Sequence, residues 1–225
     1  MTPTARRQLD DLAVRHPALA LLLTPLAQAV ELIAAAARAG GTLLTCGNGG
    51  SASDSEHIAG ELVKGFMLRR ELPPDERARF AAAGIPAASD VAGKLQRGVR
   101  TISLTSNGAL ISAIANDIDP TLVFAQQVYV HGRPGDVVIG LSTSGNSANV
   151  VAALQVARAC GLKTIGFTGA APAAMDAWCD VAIKAPARET PAVQELHLPL
   201  YHALCVAVEY DLFGPGAAVG QRAQN

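Results

Sequence analysis

The stretch DVVIGLSTSGNSANVVAAL, residues 136–154, changes its periodicity half-way along. Residues 137–141 form an unbroken apolar run of strand length, the mark of a parallel strand covered on both faces. From Ala148 the apolar residues recur at helical spacing. The six residues between them, Ser142-Thr143-Ser144-Gly145-Asn146-Ser147, gather hydroxyls around a glycine. A second turn of the same make, Cys46-Gly47-Asn48-Gly49-Gly50-Ser51-Ala52-Ser53, follows the apolar run 42–46. A strand that feeds a helix through a short loop is half of a βαβ unit, so the two stretches argue for an α/β fold.

The same alternation extends along the chain. Strands are expected at 42–46, 100–105, 136–141, 163–168 and 181–184. Helices are expected at 51–66, 109–115, 121–131, 148–160, 171–177 and 190–213. Five strands alternating with helices predict a three-layer αβα architecture on a parallel sheet. The 225 residues read as a single domain. A helical segment, 1–39, precedes the first strand and is free to pack elsewhere, including on another subunit. Residues 69–98 are dense in charge and carry Pro73, Pro74 and Pro86, which marks an exposed insertion with short helices at 75–82 and 90–97.

Composition excludes several classes. Half of the residues are hydrophobic but only 4% are aromatic, so Ala, Val, Leu and Ile must build the core. A net charge of −1 gives no electrostatic warrant for a nucleic-acid or membrane partner, so any anion must be held locally. The four cysteines, Cys46, Cys160, Cys179 and Cys205, form no C-x-x-C pair and sit in apolar contexts, which speaks for a reducing cytoplasm. The apolar run 18–37 is interrupted by Pro25, Gln28 and Glu31, and neither secretion nor membrane spanning is expected.

Both glycine-serine turns lie where a helix begins. Unpaired N–H groups and the positive end of the helix dipole favour phosphate there, although Ser51, Ser53 and Ser147 are also ordinary helix caps. Two such turns at carboxyl ends of parallel strands favour the anion reading, because open α/β sheets bind ligands there. Gly47-x-Gly49-x-x-Ala52 also fits the dinucleotide fingerprint, but the region that should end a second strand in an acidic residue reads MLRRELPP. His57 and Glu61, four apart on the predicted helix, share a face and stand within reach of one ion. Asn116-Asp117 precedes a proline-bearing turn that by itself explains both residues.

These motifs resemble the sugar isomerase (SIS) domain from about 40 to 212. Within it, CGNGGSA at 46–52, Ser55-Glu56-His57 through Glu61, Asn116-Asp117, STSGNSANV at 142–150 and VQELH at 193–197 through His202 resemble the phosphoheptose isomerase subfamily. The resemblance implies a small phosphorylated sugar as substrate, bound by Asn48, Gly49, Gly50, Asn116 and Asp117, with Ser142, Thr143, Ser144 and Ser147 around its phosphate. It implies a Zn2+ site of His57, Glu61, Gln194 and His202, aldose–ketose isomerisation through an enediol, and a homotetramer. Glu61 is then the candidate base and His202 the acid, while Glu61 and Gln194 also touch the substrate.

Gln194 and His202 lie eight residues apart, about 12 Å of rise on a straight helix. A bend at Pro199, chain crossing between subunits and an irregular first turn each close that gap. Pro191 and the long insertion depart from the subfamily pattern. Another phosphosugar on the same scaffold, and a non-catalytic phosphosugar-sensing module, therefore remain as alternatives.

Overall fold

The structure, a computed structural model, describes residues 1–85 and 90–217. Five parallel strands, β1 (Leu43–Gly47), β2 (Thr101–Ser103), β3 (Val137–Leu141), β4 (Lys163–Thr168) and β5 (Val181–Lys184), form one sheet in the order β2-β1-β3-β4-β5. The α/β expectation is met. From β1 the chain pairs outward to β2 and then returns to place β3 on the other side of β1, so the strand order reverses between β1 and β3. The loops after these two strands consequently leave the sheet in opposite directions and open a crevice at its carboxyl edge.

Helices cover both faces. β1 and β3 alternate their side chains between two cores, as the pleat requires. Leu43, Val137, Ile139 and Leu141 join one core with α1 (Pro3–Arg15), α2 (Leu23–Arg38), α3 (Gly50–Val63) and α9 (Thr190–Phe213). Leu44, Cys46 and Val138 join the other with α6 (Gly108–Asp117), α7 (Ala125–His131) and α8 (Ala148–Ala159). Two short helices, α4 (Pro74–Ala82) and α5 (Asp90–Lys94), lie in the insertion.

Three expectations are corrected. The N-terminal helices do not stand apart: α1 and α2 pack on α9, and Leu9, Leu12, Leu26, Val30 and Ile33 are buried. Pro17–Arg38 is long and apolar enough to cross a membrane, yet here Leu19, Leu22, Leu26, Val30 and Ile33 join this core. The expected helix 171–177 is instead a 3₁₀ turn, Ala174–Trp178, because the Ala174 and Met175 N–H groups donate to Asn146 Oδ1 and the Gly145 carbonyl of the serine loop rather than back along a helix. The insertion is anchored at both ends, with Arg70, Leu72 and Ala92 buried and Glu71 bridged to Gln96, although α4 buries nothing.

Candidate active site

The two glycine-serine turns face one another across the crevice. Each passes through a glycine with positive φ, Gly49 at 55° and Gly145 at 66°, where a side chain would be strained. A reciprocal amide pair joins them: Asn48 Nδ2 donates to Asn149 Oδ1 and Asn149 Nδ2 to Asn48 Oδ1, both at 2.9 Å. Asn149 was not singled out in the sequence; a polar side chain in the first turn of the apolar helix α8 was its only signal.

The serines in this loop do more than cap. Ser147 precedes α8 but makes no side-chain cap; its hydroxyl lies 2.9 Å from that of Ser142. The Gly145 N–H donates to Ser142 Oγ, and the Asn146 N–H to Ser144 Oγ. Thr143 Oγ1 stands 3.4 Å from Thr190 Oγ1, at the start of α9. The result is a concave set of hydroxyls on a fixed turn, next to the N-terminus of α8.

Helices α3 and α9 leave this crevice side by side in the same direction. Gln194 lies against Gly50, His57 against Tyr201 and Phe66 against Glu209, in near-constant register. A Cβ on Gly50 would come within 2.5 Å of Gln194 Nε2, so the absence of a side chain at Gly50 is what admits Gln194. One tier of the site is therefore Asn48, Gly49, Gly50, Gln194 and the loop 142–147. His57 is seven residues beyond Gly50, about 10 Å of helical rise, and begins the second tier.

The second tier is dense. His57 Nε2 lies 3.1 Å from Glu61 Oε1, and Lys64 Nζ donates to Glu61 Oε2 at 2.5 Å. The His57 and His202 rings meet edge to face at 5.0 Å, and the Phe66 ring meets His202 at 5.5 Å. Tyr201 OH accepts or donates at His57 Nδ1, 3.0 Å away, and donates to Asp54 Oδ1 at 3.2 Å. Burial pushes the Glu61 carboxyl up, but Lys64 and His57 outweigh it and hold Glu61 below the usual carboxylate range. Burial, with neighbouring His57, lowers His202, so its imidazole is neutral at physiological pH.

His202 Nε2 is buried and has no hydrogen-bond partner among the described residues. A buried imidazole nitrogen left without a partner costs free energy unless a ligand meets it. Together with the neighbouring His57 and Glu61, it makes a donor set of the kind zinc takes. Among the described residues no three His, Cys, Asp or Glu side chains stand ready as a metal cage, and Lys64 Nζ already donates to one Glu61 oxygen. The donor chemistry fits a zinc ion, and the arrangement must shift to admit it.

Asn116 and Asp117 do not join either tier. They end α6, exposed, with Asn116 Nδ2 donating to Asp117 Oδ1 at 2.8 Å, and among the described residues neither bonds to the two loops. α6, ten residues long, carries them away from the end of β2. α9 runs as one helix through Pro199, which brings its eight-residue spacing onto both tiers rather than onto one point.

His197, between the two tiers on α9, is wholly buried, its Nε2 3.4 Å from the Thr168 carbonyl and its ring edge-on to Phe167. Burial lowers its pKa to about 4. The unfolded chain, at the ordinary value of 6.5, then binds the proton more readily than the folded one, so stability is full above pH 6.5 and declines as pH falls toward 4. An acid limb of about 1.4 kcal/mol per pH unit in this window is expected. Chemical denaturation across pH 4–7 measures it, and His197→Gln should flatten that limb.

A family model described as "SIS domain" matches residues 13–97 and 88–169. A phosphoheptose isomerase of Rhodospirillum rubrum is 39% identical over 184 residues, covering 82% of this chain and 84% of that protein. One of Trichlorobacter lovleyi is 38% identical, covering 96% and 97%. The solved phosphoheptose isomerase GmhA of Neisseria gonorrhoeae superposes with a TM-score of 0.69 at 30% identity, covering 89% of this chain and 93% of that one. With the motif-bearing loops and both helices inside the matched region, the chain belongs to the SIS domain family, within its phosphoheptose isomerase branch, and is an isomerase.

Proposed function

We propose that the protein interconverts sedoheptulose 7-phosphate and D-glycero-D-manno-heptose 7-phosphate through an enediol, as a zinc-dependent cytoplasmic homotetramer. One observation carries the reading: a hydroxyl-lined anion cradle and a His–Glu–His cluster lie on the same pair of parallel helices, one tier beyond the other. An open carbon chain advances roughly 1.2 Å per bond, the advance that underlies 3.3–3.6 Å per extended residue. The seven bonds from phosphorus to the carbonyl carbon of this ketose therefore span roughly 8 Å, comparable with the tier separation of about 10 Å. Shorter sugar phosphates reach less well.

In this reading Ser142, Thr143, Ser144 and Ser147 hold the phosphate, with Asn48, Gly49 and Gly50 closing the opposite wall. Gln194 orients the hydroxyls between the tiers. Glu61 removes the proton beside the carbonyl and His202, neutral and facing it, exchanges protons with the oxygen. His57, Glu61 and His202 would hold the zinc ion, which when bound supplies positive charge for the developing enediolate, while Gln194, one tier away beside Gly50, is left to the substrate rather than to the ion. Asn116 and Asp117, exposed at the end of α6, would meet substrate across a boundary between copies of the chain.

Incubation with sedoheptulose 7-phosphate, alongside elemental analysis and light scattering, tests the reading. Formation of aldoheptose phosphate by a zinc-loaded tetramer is the expected outcome. Turnover confined to five- or six-carbon phosphates would replace the substrate and keep the chemistry. Metal-free protein that binds phosphosugar without turnover would make it a sensing module instead.

A further inference from the structure

We propose that Asp54 and Tyr201 are positioning residues: the chain Asp54–Tyr201–His57 holds the His57 imidazole with its hydrogen on Nδ1 and so commits Nε2 to the metal ion. The proposal rests on the zinc reading above. It follows from counting hydrogens. Tyr201 has one O–H, and that hydrogen goes to the Asp54 carboxylate, which can only accept. Toward His57 the phenol oxygen is then an acceptor, so the Nδ1 atom 3.0 Å away must be the donor.

With hydrogen on Nδ1, neutral His57 presents a lone pair at Nε2. That lone pair lies 3.1 Å from Glu61 Oε1, a carboxylate oxygen. Two electron-pair donors at this distance repel unless positive charge joins them. Close by stands the buried His202 Nε2, which has no hydrogen-bond partner among the described residues. Two neighbouring imidazole nitrogens and a carboxylate whose present counter-charge is the exposed Lys64 are what a divalent cation satisfies, and the relay supplies the tautomer it needs.

The relay is rigid. Tyr201 is 1% exposed and its ring packs edge-on against both His57, at 5.4 Å, and His202, at 5.1 Å. Asp54 comes from α3, one turn before His57, and Tyr201 from α9, so the hydroxyl also fixes the distance between the two helices at the level of the ligands. Groups that fix a ligating imidazole through its second nitrogen commonly change metal affinity by 10–100-fold.

Tyr201→Phe removes the hydroxyl and keeps the ring. Zinc affinity, measured by competition with a chromophoric chelator, is expected to fall 10–100-fold. In metal-free protein, ¹⁵N shifts of the His57 ring should show hydrogen on Nδ1 in the wild type and a mixture of tautomers in the variant. Asp54→Asn gives a second route: its amide N–H can donate to Tyr201 and reverse the chain, which puts the hydrogen on Nε2 and weakens zinc binding as well. Variants that bind zinc within twofold of wild type, or wild-type His57 with its hydrogen on Nε2, overturn the proposal. A wild type that takes up no zinc overturns the metal reading and the commitment of Nε2 with it. The shifts in metal-free protein read the Tyr201–His57 bond separately, so the two failures are told apart.

Discussion

Glu61→Gln is expected to lower turnover of the phosphosugar by 10²–10⁴-fold, the range of a general base. Glutamine keeps the length of the side chain and still hydrogen-bonds His57 or Lys64, so the fold and the cradle at 142–147 remain. What it loses is the ability to take a proton. Lys64 and His57 already hold the Glu61 carboxyl below its usual range, so the group is ionised throughout the neutral region and ready to act as a base. The same contacts make it a weak base, and proton removal must coincide with a shift of Lys64 or of the carboxylate itself. Retention of more than about a tenth of wild-type turnover would remove Glu61 from the base role. Zinc content of the variant separates its two duties: inactive protein that keeps zinc has lost the base, and inactive protein without zinc has lost a ligand.

The second large effect concerns stability. Arg70 and Glu209 form an ion pair at 2.8 Å whose side chains are both 0% exposed. Glu209 also accepts from the N–H groups of Phe66 and Met67, while Arg70 donates to the carbonyls of Glu61 and Leu62. The Phe213 ring lies 4.7 Å from the guanidinium. Glu209→Gln therefore leaves a buried cation without its counter-charge, which costs about 3–5 kcal/mol. For a chain of this size that corresponds to a thermal midpoint lower by about 6–20 °C. The double variant Arg70→Met with Glu209→Leu should recover part of this, because it removes both charges, although the Phe66 and Met67 amides and the Glu61 carbonyl then lose a partner. A midpoint unchanged in Glu209→Gln would mean that water reaches the pair. The network also ties the end of α3, and with it the backbone of Glu61, to α9, so loss of stability and loss of activity should travel together here, unlike in Glu61→Gln.

Much of this was legible from local signals. Strand-length apolar runs and helical spacing placed β4, β5 and α9 at their observed bounds, since both patterns depend only on near neighbours. The 171–177 segment misled because an alanine-rich composition favours helix, while its Ala174 and Met175 amides are taken by Asn146 and Gly145, distant in the chain. The insertion misled in the other direction: its charge density reads as solvent exposure, and Arg70 is buried only because Glu209, far along the chain, is there to meet it.

The sequence by itself determined the α/β class, the two glycine-serine turns and the identity of His57, Glu61, Gln194 and His202 as unusual residues. Each follows from residue type and short spacing. Only the tertiary structure decided which of them meet. Strand order put the turns after β1 and β3 across one crevice, joined by Asn48 and Asn149. The parallel register of α3 on α9 set Gln194 beside Gly50 and His202 beside His57, brought Tyr201 and Asp54 behind them, and left Asn116 and Asp117 apart. The physical reason is range. Turn chemistry is fixed within a few residues, whereas helix register is fixed by apolar packing and buried ion pairs between segments distant in the chain.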